Sequence, residues 1–195
     1  MSDAVKVPNV LVVLGSPRKN GNSTALAEQI KKGAELMGAE VETVYLNGMA
    51  IKPCQGCYAC KKEDSKGCKI DDDMQSIYPK LVESGAWVIA SPVYWFTMSA
   101  QTKLFMDRCY ALFNQDTSKS ALFGKRIAIA MSYEDTDPFR SGCVNALRAF
   151  QDAYHYSGAK IIGMIYGSAG AAGEIKSNTA LMQEAQELGE NLVGE

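Results

Sequence analysis

Short apolar runs alternate along the chain with longer stretches in which apolar residues recur at every third or fourth position. Val10-Leu11-Val12-Val13-Leu14 is unbroken and closes at Gly15-Ser16-Pro17, the pattern of a central parallel strand covered on both faces. From about Thr24 to Met37 the residues Leu26, Ile30, Gly33, Ala34 and Met37 share one side. This predicts a helix capped by Asn22 or Ser23 and stopped by Gly38. Further strands are expected at Val41 to Leu46, Ala86 to Ala90, Arg126 to Met131 and Ile161 to Tyr166. Helices are expected from Asp71 or Asp72 through Met74, Ile77, Leu81 and Val82, from Ser99 to Phe113, from Phe139 to Ser157, and at the end of the chain to about Val193. Strands and helices in strict alternation predict an α/β fold, a doubly wound parallel sheet of five strands with helices on both faces. The chain of 195 residues is read as a single domain, 1–195. In such a sheet ligands bind beyond the carboxyl ends of the strands, so the loops after the first, third and fourth strands are the ones to read for function.

One segment breaks the alternation. Between about residues 47 and 70 there is no periodicity, only Gly, Pro, Lys and four cysteines, Cys54, Cys57, Cys60 and Cys68, spaced C-x2-C-x2-C-x7-C. A long irregular loop in a compact domain needs a reason, and convergence on an inorganic centre would supply one. Four readings stand. Four thiolates at this spacing suit a 4Fe–4S cluster. A structural zinc ion takes the same ligands, but usually from two separated C-x2-C knuckles. The C-x2-C pairs suit a redox disulfide. The thiols are otherwise unligated. Gly56 and Gly67 would let the chain turn sharply around a centre. Lys61, Lys62, Lys66 and Lys69 either offset its charge or simply solvate the loop.

The loop after the first strand, G-S-P-R-K-N-G-N-S-T from Gly15 to Thr24, has neither a Walker lysine nor the spacing of a dinucleotide fingerprint. It does bring three hydroxyls, two Asn side chains and Arg18 to the start of a helix. Unpaired amides at a helix N-terminus suit a phosphate, and Arg18 adds a charge-assisted partner. The plainer reading is a capped helix after a polar turn. Ser91-Pro92-Val93-Tyr94-Trp95 forms a turn after the third strand, where aromatic side chains favour ligand contact over core packing.

Composition narrows the function. Apolar residues make up 47% and charged residues 22%, which suits a folded globular domain. A net charge of -2 without a basic tract argues against nucleic acid. The N-terminus lacks the pattern of a signal peptide, and no apolar run reaches membrane-spanning length. The expected location is cytoplasmic, where cysteines stay reduced and serve metals or redox chemistry. Cys109 reads as a buried apolar residue. Cys143, near a helix start, has no neighbouring catalytic motif, and His155, the single histidine, lacks a paired nucleophile or carboxylate. Gly167, Gly170 and Gly173 read as a tight connection at a subunit boundary.

Gly15 to Thr24, Ser91 to Trp95, and Lys103 with Asp107-Arg108 together resemble the NAD(P)H-dependent FMN reductase family of the flavodoxin-like fold. The cysteine run followed by Asp72-Asp73-Met74 is similar to that family's iron–sulfur flavoprotein branch. The resemblance implies strand order 2-1-3-4-5. It implies FMN with its phosphate held by Ser16, Arg18, Asn22, Ser23 and Thr24. Its ring would lie against Pro92, Val93, Tyr94 and Trp95, approached from the other side by Ser132 and Tyr133. It further implies a 4Fe–4S cluster on Cys54, Cys57, Cys60 and Cys68. The function implied is an oxidoreductase coupling a one-electron donor, such as a ferredoxin, or NAD(P)H to a small-molecule acceptor. No catalytic side chain is needed, because the cofactor carries the chemistry. The alternatives are a cluster-free NAD(P)H-dependent FMN or quinone reductase, and a flavodoxin-type electron carrier. A homodimer or homotetramer is expected, without nucleic acid or membrane as a partner.

Overall fold

The structure, a computed structural model, describes residues 8–194. In chain order the elements are β1 (Val10–Leu14), α1 (Asn22–Leu36), β2 (Val41–Tyr45), α2 (Met74–Glu83), β3 (Ala86–Tyr94), β4 (Thr97–Met98), α3 (Ala100–Arg108), β5 (Arg126–Tyr133), α4 (Cys143–Tyr156), β6 (Lys160–Ser168) and α5 (Thr179–Val193). The parallel strands lie in the order β2-β1-β3-β5-β6, while the two-residue β4 folds back antiparallel on the end of β3. With β4 off the path, this is the flavodoxin-like order expected from the sequence.

The period of two in each strand builds two cores. Val10, Val12 and Leu14 join Val88, Ala90, Ala128 and Ala130 beneath α1 and α5. Leu11 and Val13 join Trp87, Ile89, Ile127 and Ile129 beneath α2, α3 and α4. On the first face the strands carry small side chains and the two helices nearly touch. A Cβ on Gly33 would stand 1.9 Å from the Gln186 carbonyl oxygen, and one on Gly189 would stand 1.9 Å from that of Ile30. The pair of glycines thus lets α1 cross α5 backbone to backbone.

The structure moves several boundaries. The third strand does not stop at Ala90. It runs on to Tyr94, because Pro92 still pairs beside Ser132 of β5 and Val93 pairs beside Met98 of β4. The helix expected from Ser99 to Phe113 is α-helical only to Arg108 and tightens into a 3-10 turn, Cys109–Leu112. The fourth helix begins at Cys143 rather than Phe139. The Asp137 carboxylate accepts the amides of Phe139 and Arg140 in a separate turn, and Gly142 reverses the chain at φ 78°. The first helix starts at Asn22 with Gly21 as its cap and no side-chain cap, so neither Asn22 nor Ser23 plays the part expected of it.

Candidate functional site

At the carboxyl ends of β1, β3, β5 and β6 a cleft opens, lined by Ser16, Arg18, Gly21 and Asn22, by Pro92, Val93 and Tyr94, by Ser132, Tyr133 and Glu134, and by Ala169, Gly170 and Ala172. Sheet register assembles it. Pro92 stands beside Ser132, and Tyr133 beside Ser168, so three loops leave the sheet at one level. The β1 loop is pinned by Ser16, whose Oγ accepts the Arg18 amide at 3.1 Å. Gly21 permits that turn, since a Cβ there would lie 2.8 Å from Ser16 Oγ and 3.0 Å from the Arg18 carbonyl oxygen.

The start of α1 carries the strongest ligand signal. Its first helical bond runs from the Ala25 amide to the Gly21 carbonyl at 3.0 Å, leaving the amides of Asn22, Ser23 and Thr24 ahead of the ladder. Ser23 Oγ and Thr24 Oγ1 are buried, and neither has a hydrogen-bond partner. A buried hydroxyl without a partner is costly. Two of them beside unpaired amides at a helix N-terminus have the chemistry that suits an anion. Asn22 has a different job. Its Nδ2 donates to the carbonyls of Ala169 (3.2 Å) and Ala171 (2.9 Å), and its Oδ1 accepts the Ile175 amide at 3.2 Å. The side chain is a strut holding the β6–α5 loop against the cleft, so only its backbone amide is left for a ligand.

The ring-side residues divide. Pro92, Val93 and Tyr94 line the cleft, as do Ser132 and Tyr133. Burial pushes the Tyr133 phenol up, aided by neighbouring acidic groups, so its hydroxyl keeps its proton at neutral pH. Trp95 does not line the cleft. It is 91% exposed at the tip of the β3–β4 hairpin. There Trp95 (φ 46°) and Phe96 (φ 68°) both adopt the left-handed conformation of a tight primed turn, normally reserved for Asn and Gly. Gly21, Glu134 and the Ala169–Ala172 stretch were missed by the sequence reading. The small-residue run from Gly167 to Gly173 was the available signal, since it follows a strand at the ligand-binding end.

A second cavity lies on the α3–α4 side and shares no residue with the first. Its volume is about 440 Å³, and Cys54, Cys57, Cys60 and Cys68 all line it, facing Tyr110, Phe113, Tyr154 and Tyr156. All six cysteines are free thiols. The base of the loop is clamped by acidic residues ahead of α2. The Ala50 amide donates to Asp73 Oδ2 at 2.6 Å, and the Lys52 amide to Asp72 Oδ2 at 2.8 Å. Arg108, at the end of α3, has a fully buried side chain. It donates through Nη1 to the Lys52 carbonyl at 2.8 Å and through Nη2 to Asp72 Oδ1 at 3.1 Å and Cys68 Sγ at 3.4 Å. Lys61 is drawn off the loop surface and caps the carbonyls of Tyr110 and Phe113, its Nζ 4.2 Å from the Tyr110 ring centre. Tyr58, at φ 54°, packs edge-on against the Tyr110 ring.

Residues 8–174 match the family model described as NADPH-dependent FMN reductase. The chain belongs to that family. Within it, the similarity runs to the iron–sulfur flavoprotein branch. An iron–sulfur flavoprotein of Archaeoglobus fulgidus is 36% identical over 60% of this chain and 53% of its own length. One from Methanosarcina thermophila is 28% identical over 77% of this chain and 75% of its own. The chain thus spans about half the length of the first of these relatives. Among solved structures, an NAD(P)H:quinone oxidoreductase from Methanothermobacter marburgensis superposes with a TM-score of 0.74 at 15% identity, covering 97% of this chain and 99% of that one, a likeness of fold. Among the described residues no helix is long and apolar enough to cross a membrane.

The residues of this FMN reductase family member fit a phosphorylated flavin at the first site. Arg18 lines the cleft with Pro92, Val93, Tyr94, Ser132 and Tyr133, and the adjoining start of α1 adds the orphaned buried hydroxyls of Ser23 and Thr24, which are not themselves in the cleft lining. At the second site the described residues gather no three ligating side chains around a single ion. A cubane cluster spreads its four thiolates over four separate iron corners, and four free cysteines around one cavity match that donor set. Cys109 is buried in the wall of the same cavity and Cys143 is buried at the start of α4, while His155 is exposed and lines neither site.

Proposed function

We propose that this chain is an FMN-dependent oxidoreductase that also carries a 4Fe–4S cluster, coupling a one-electron donor or NAD(P)H to a small-molecule oxidant. The observation that supports this best is the presence in one chain of two separate sites. One is a polar cleft adjoining a helix N-terminus that carries two unpaired buried hydroxyls, the other a cavity walled by four free cysteines.

Bound flavin supplies both two-electron and one-electron chemistry, and a cluster supplies single electrons. The chain's own residues bind and shape. Ser23 and Thr24 would donate their hydroxyls to the phosphate and Arg18 would add charge, while Asn22 holds the neighbouring loop in place. Pro92, Val93, Tyr94, Ser132 and Tyr133, which line the cleft, would hold the ring. Cys54, Cys57, Cys60 and Cys68 supply the four thiolates. The reading implies a reducing compartment, where cysteines stay available as metal ligands. It also implies a redox protein such as a ferredoxin, or NAD(P)H, as donor, and a homodimer or homotetramer as the working unit.

The deciding experiment is iron, acid-labile sulfide and flavin analysis with a visible spectrum on protein purified without oxygen. Stoichiometric FMN with about four irons per chain is expected from ligation by four thiolates. FMN without iron or sulfide would leave the second reading, a cluster-free NAD(P)H-dependent reductase, which is favoured by the exposure of Cys54 and Cys57.

A further inference from the structure

The four cysteines are not equivalent. Cys54 and Cys57 are exposed on the outer turn of the loop. Cys68 is held from two helices: Gln75 of α2 donates through Nε2 to its carbonyl at 2.8 Å and to that of Ile70 at 2.7 Å, and Arg108 of α3 donates through Nη2 to its sulfur at 3.4 Å. The guanidinium is itself held through both terminal nitrogens. Nη1 and Nη2 grip the two oxygens of Asp72, Nη1 also holds the Lys52 carbonyl, and the Tyr78 hydroxyl donates to the backbone carbonyl of Arg108 at 3.0 Å. One planar fork therefore ties the segment two residues before Cys54 to the sulfur of Cys68 and to the acidic residues that follow it. Lysine, a point charge without a fork, does not reproduce this set of bonds. The Asp72 carboxylate neutralises the guanidinium, so what Arg108 adds at the sulfur is a directed N–H rather than a net charge.

Resting on the reading that the cysteines hold a cluster, we propose that Arg108 is a positioning residue for it: its Nη2–H···Sγ bond to Cys68 orients that ligand and raises the cluster's reduction potential. Hydrogen bonds to ligand sulfurs draw electron density from the thiolate and favour the reduced cluster, and groups behind the ligands govern retention as well as potential. A purely structural Arg108 would hold the loop without touching the potential.

The test uses the full chain, reconstituted without oxygen with iron, sulfide and FMN, and follows both midpoint potentials in one titration by EPR and absorbance. Two variants separate the roles. Arg108→Lys keeps the charge beside Asp72 and loses the fork, and Arg108→Gln with Asp72→Asn removes both charges, leaving no unpaired ion in the core. Both are expected to shift the cluster midpoint to more negative values and to speed loss of iron to a chelator, with the FMN midpoint and FMN affinity unmoved. In wild-type protein grown on 15N-arginine, pulsed EPR of the reduced cluster is expected to show a nitrogen coupling. That measurement needs no variant to fold. Full iron with an unshifted cluster potential in a folded variant, or no arginine nitrogen coupling in the wild type, overturns the role of Arg108 and leaves the cluster reading intact. Wild-type protein that takes up FMN but no iron or sulfide overturns both.

Discussion

Arg108 and Asp72 meet as a buried ion pair, with side chains 0% and 1% exposed, although 36 residues separate them in the chain. The pair joins the end of α3 to the return of the cysteine loop; its other hydrogen bonds go to backbone and sulfur nearby, while Arg108 Nε is buried without a partner. Removing one member of such a pair strands a charge in the interior. Asp72→Ala should therefore cost about 3–5 kcal/mol, read from the urea midpoint of the metal-free protein. The pH dependence has a definite sign. Burial by itself would raise the Asp72 carboxyl, but hydrogen bonds from Arg108 and from the Lys52 and Met74 amides outweigh it and hold the group below the usual carboxylate range. Its stabilisation is complete above the unfolded value of about 3.9 and is lost as pH falls through the lower folded value. The stability gap between wild type and Asp72→Asn should accordingly stay constant at neutral and mildly acidic pH and close only below about pH 4.

Ser23 and Thr24 lose nothing within the protein when their hydroxyls are removed, because those hydroxyls have no protein partner. Ser23→Ala with Thr24→Val should leave the flavin-free protein as stable as before, or slightly more so. Each bond to a charged group contributes about 1.5–3 kcal/mol, so FMN affinity should fall by roughly two to four orders of magnitude. Fluorescence titration of the flavin-free protein would read it, and unchanged affinity would remove the phosphate from this helix end.

Trp95 and Phe96 occupy positive φ, and neither is a residue that tolerates it. Left-handed backbone costs about 1–2 kcal/mol per residue. The tip is held by its surroundings: Asn145 Nδ2 donates to the Phe96 carbonyl at 3.2 Å, and Gly142 packs so close that a Cβ would lie 2.4 Å from that oxygen. Replacing Trp95-Phe96 by Asn-Gly should raise the melting temperature of the flavin-free protein while perturbing the flavin spectrum and potential. A more stable protein with an unaltered flavin would show that the aromatic tip serves something other than the ring.

Cys143 is pushed up to about 11 by burial, and burial raises Cys109 further still despite the Arg108 charge beside it. Both thiols stay protonated at neutral pH and are buried. In metal-free native protein, iodoacetamide at pH 8 followed by peptide mass analysis should label Cys54 and Cys57 and spare Cys109 and Cys143. Labelling of Cys143 at a comparable rate would mean that the start of α4 opens readily.

Much of this architecture is a local property of the chain. The period-two and period-3.6 patterns mark each buried face within a few residues, which is why Val10–Leu14 and the Leu26–Ile30–Ala34 stripe are recognisable without tertiary information, whereas the sheet order is expected from the family resemblance and agrees with it. The Gly15–Thr24 loop and the cysteine run are legible for a related reason, since chemistry that needs several groups at short range writes them close together. Tertiary structure decided what depends on distant partners. Whether Asn22 caps its helix or braces a loop was settled by carbonyls about 150 residues away. Nothing within a helical turn of Arg108 marks it as a buried charge, because Asp72 and Cys68 reach it only when α2 and α3 pack side by side. The strained hairpin at Trp95-Phe96 arises where β3 outruns its predicted end to pair with β4 and β5. Periodicity reports which face of an element is buried; which buried groups meet is set by loop closure and packing, and those carry no local signature.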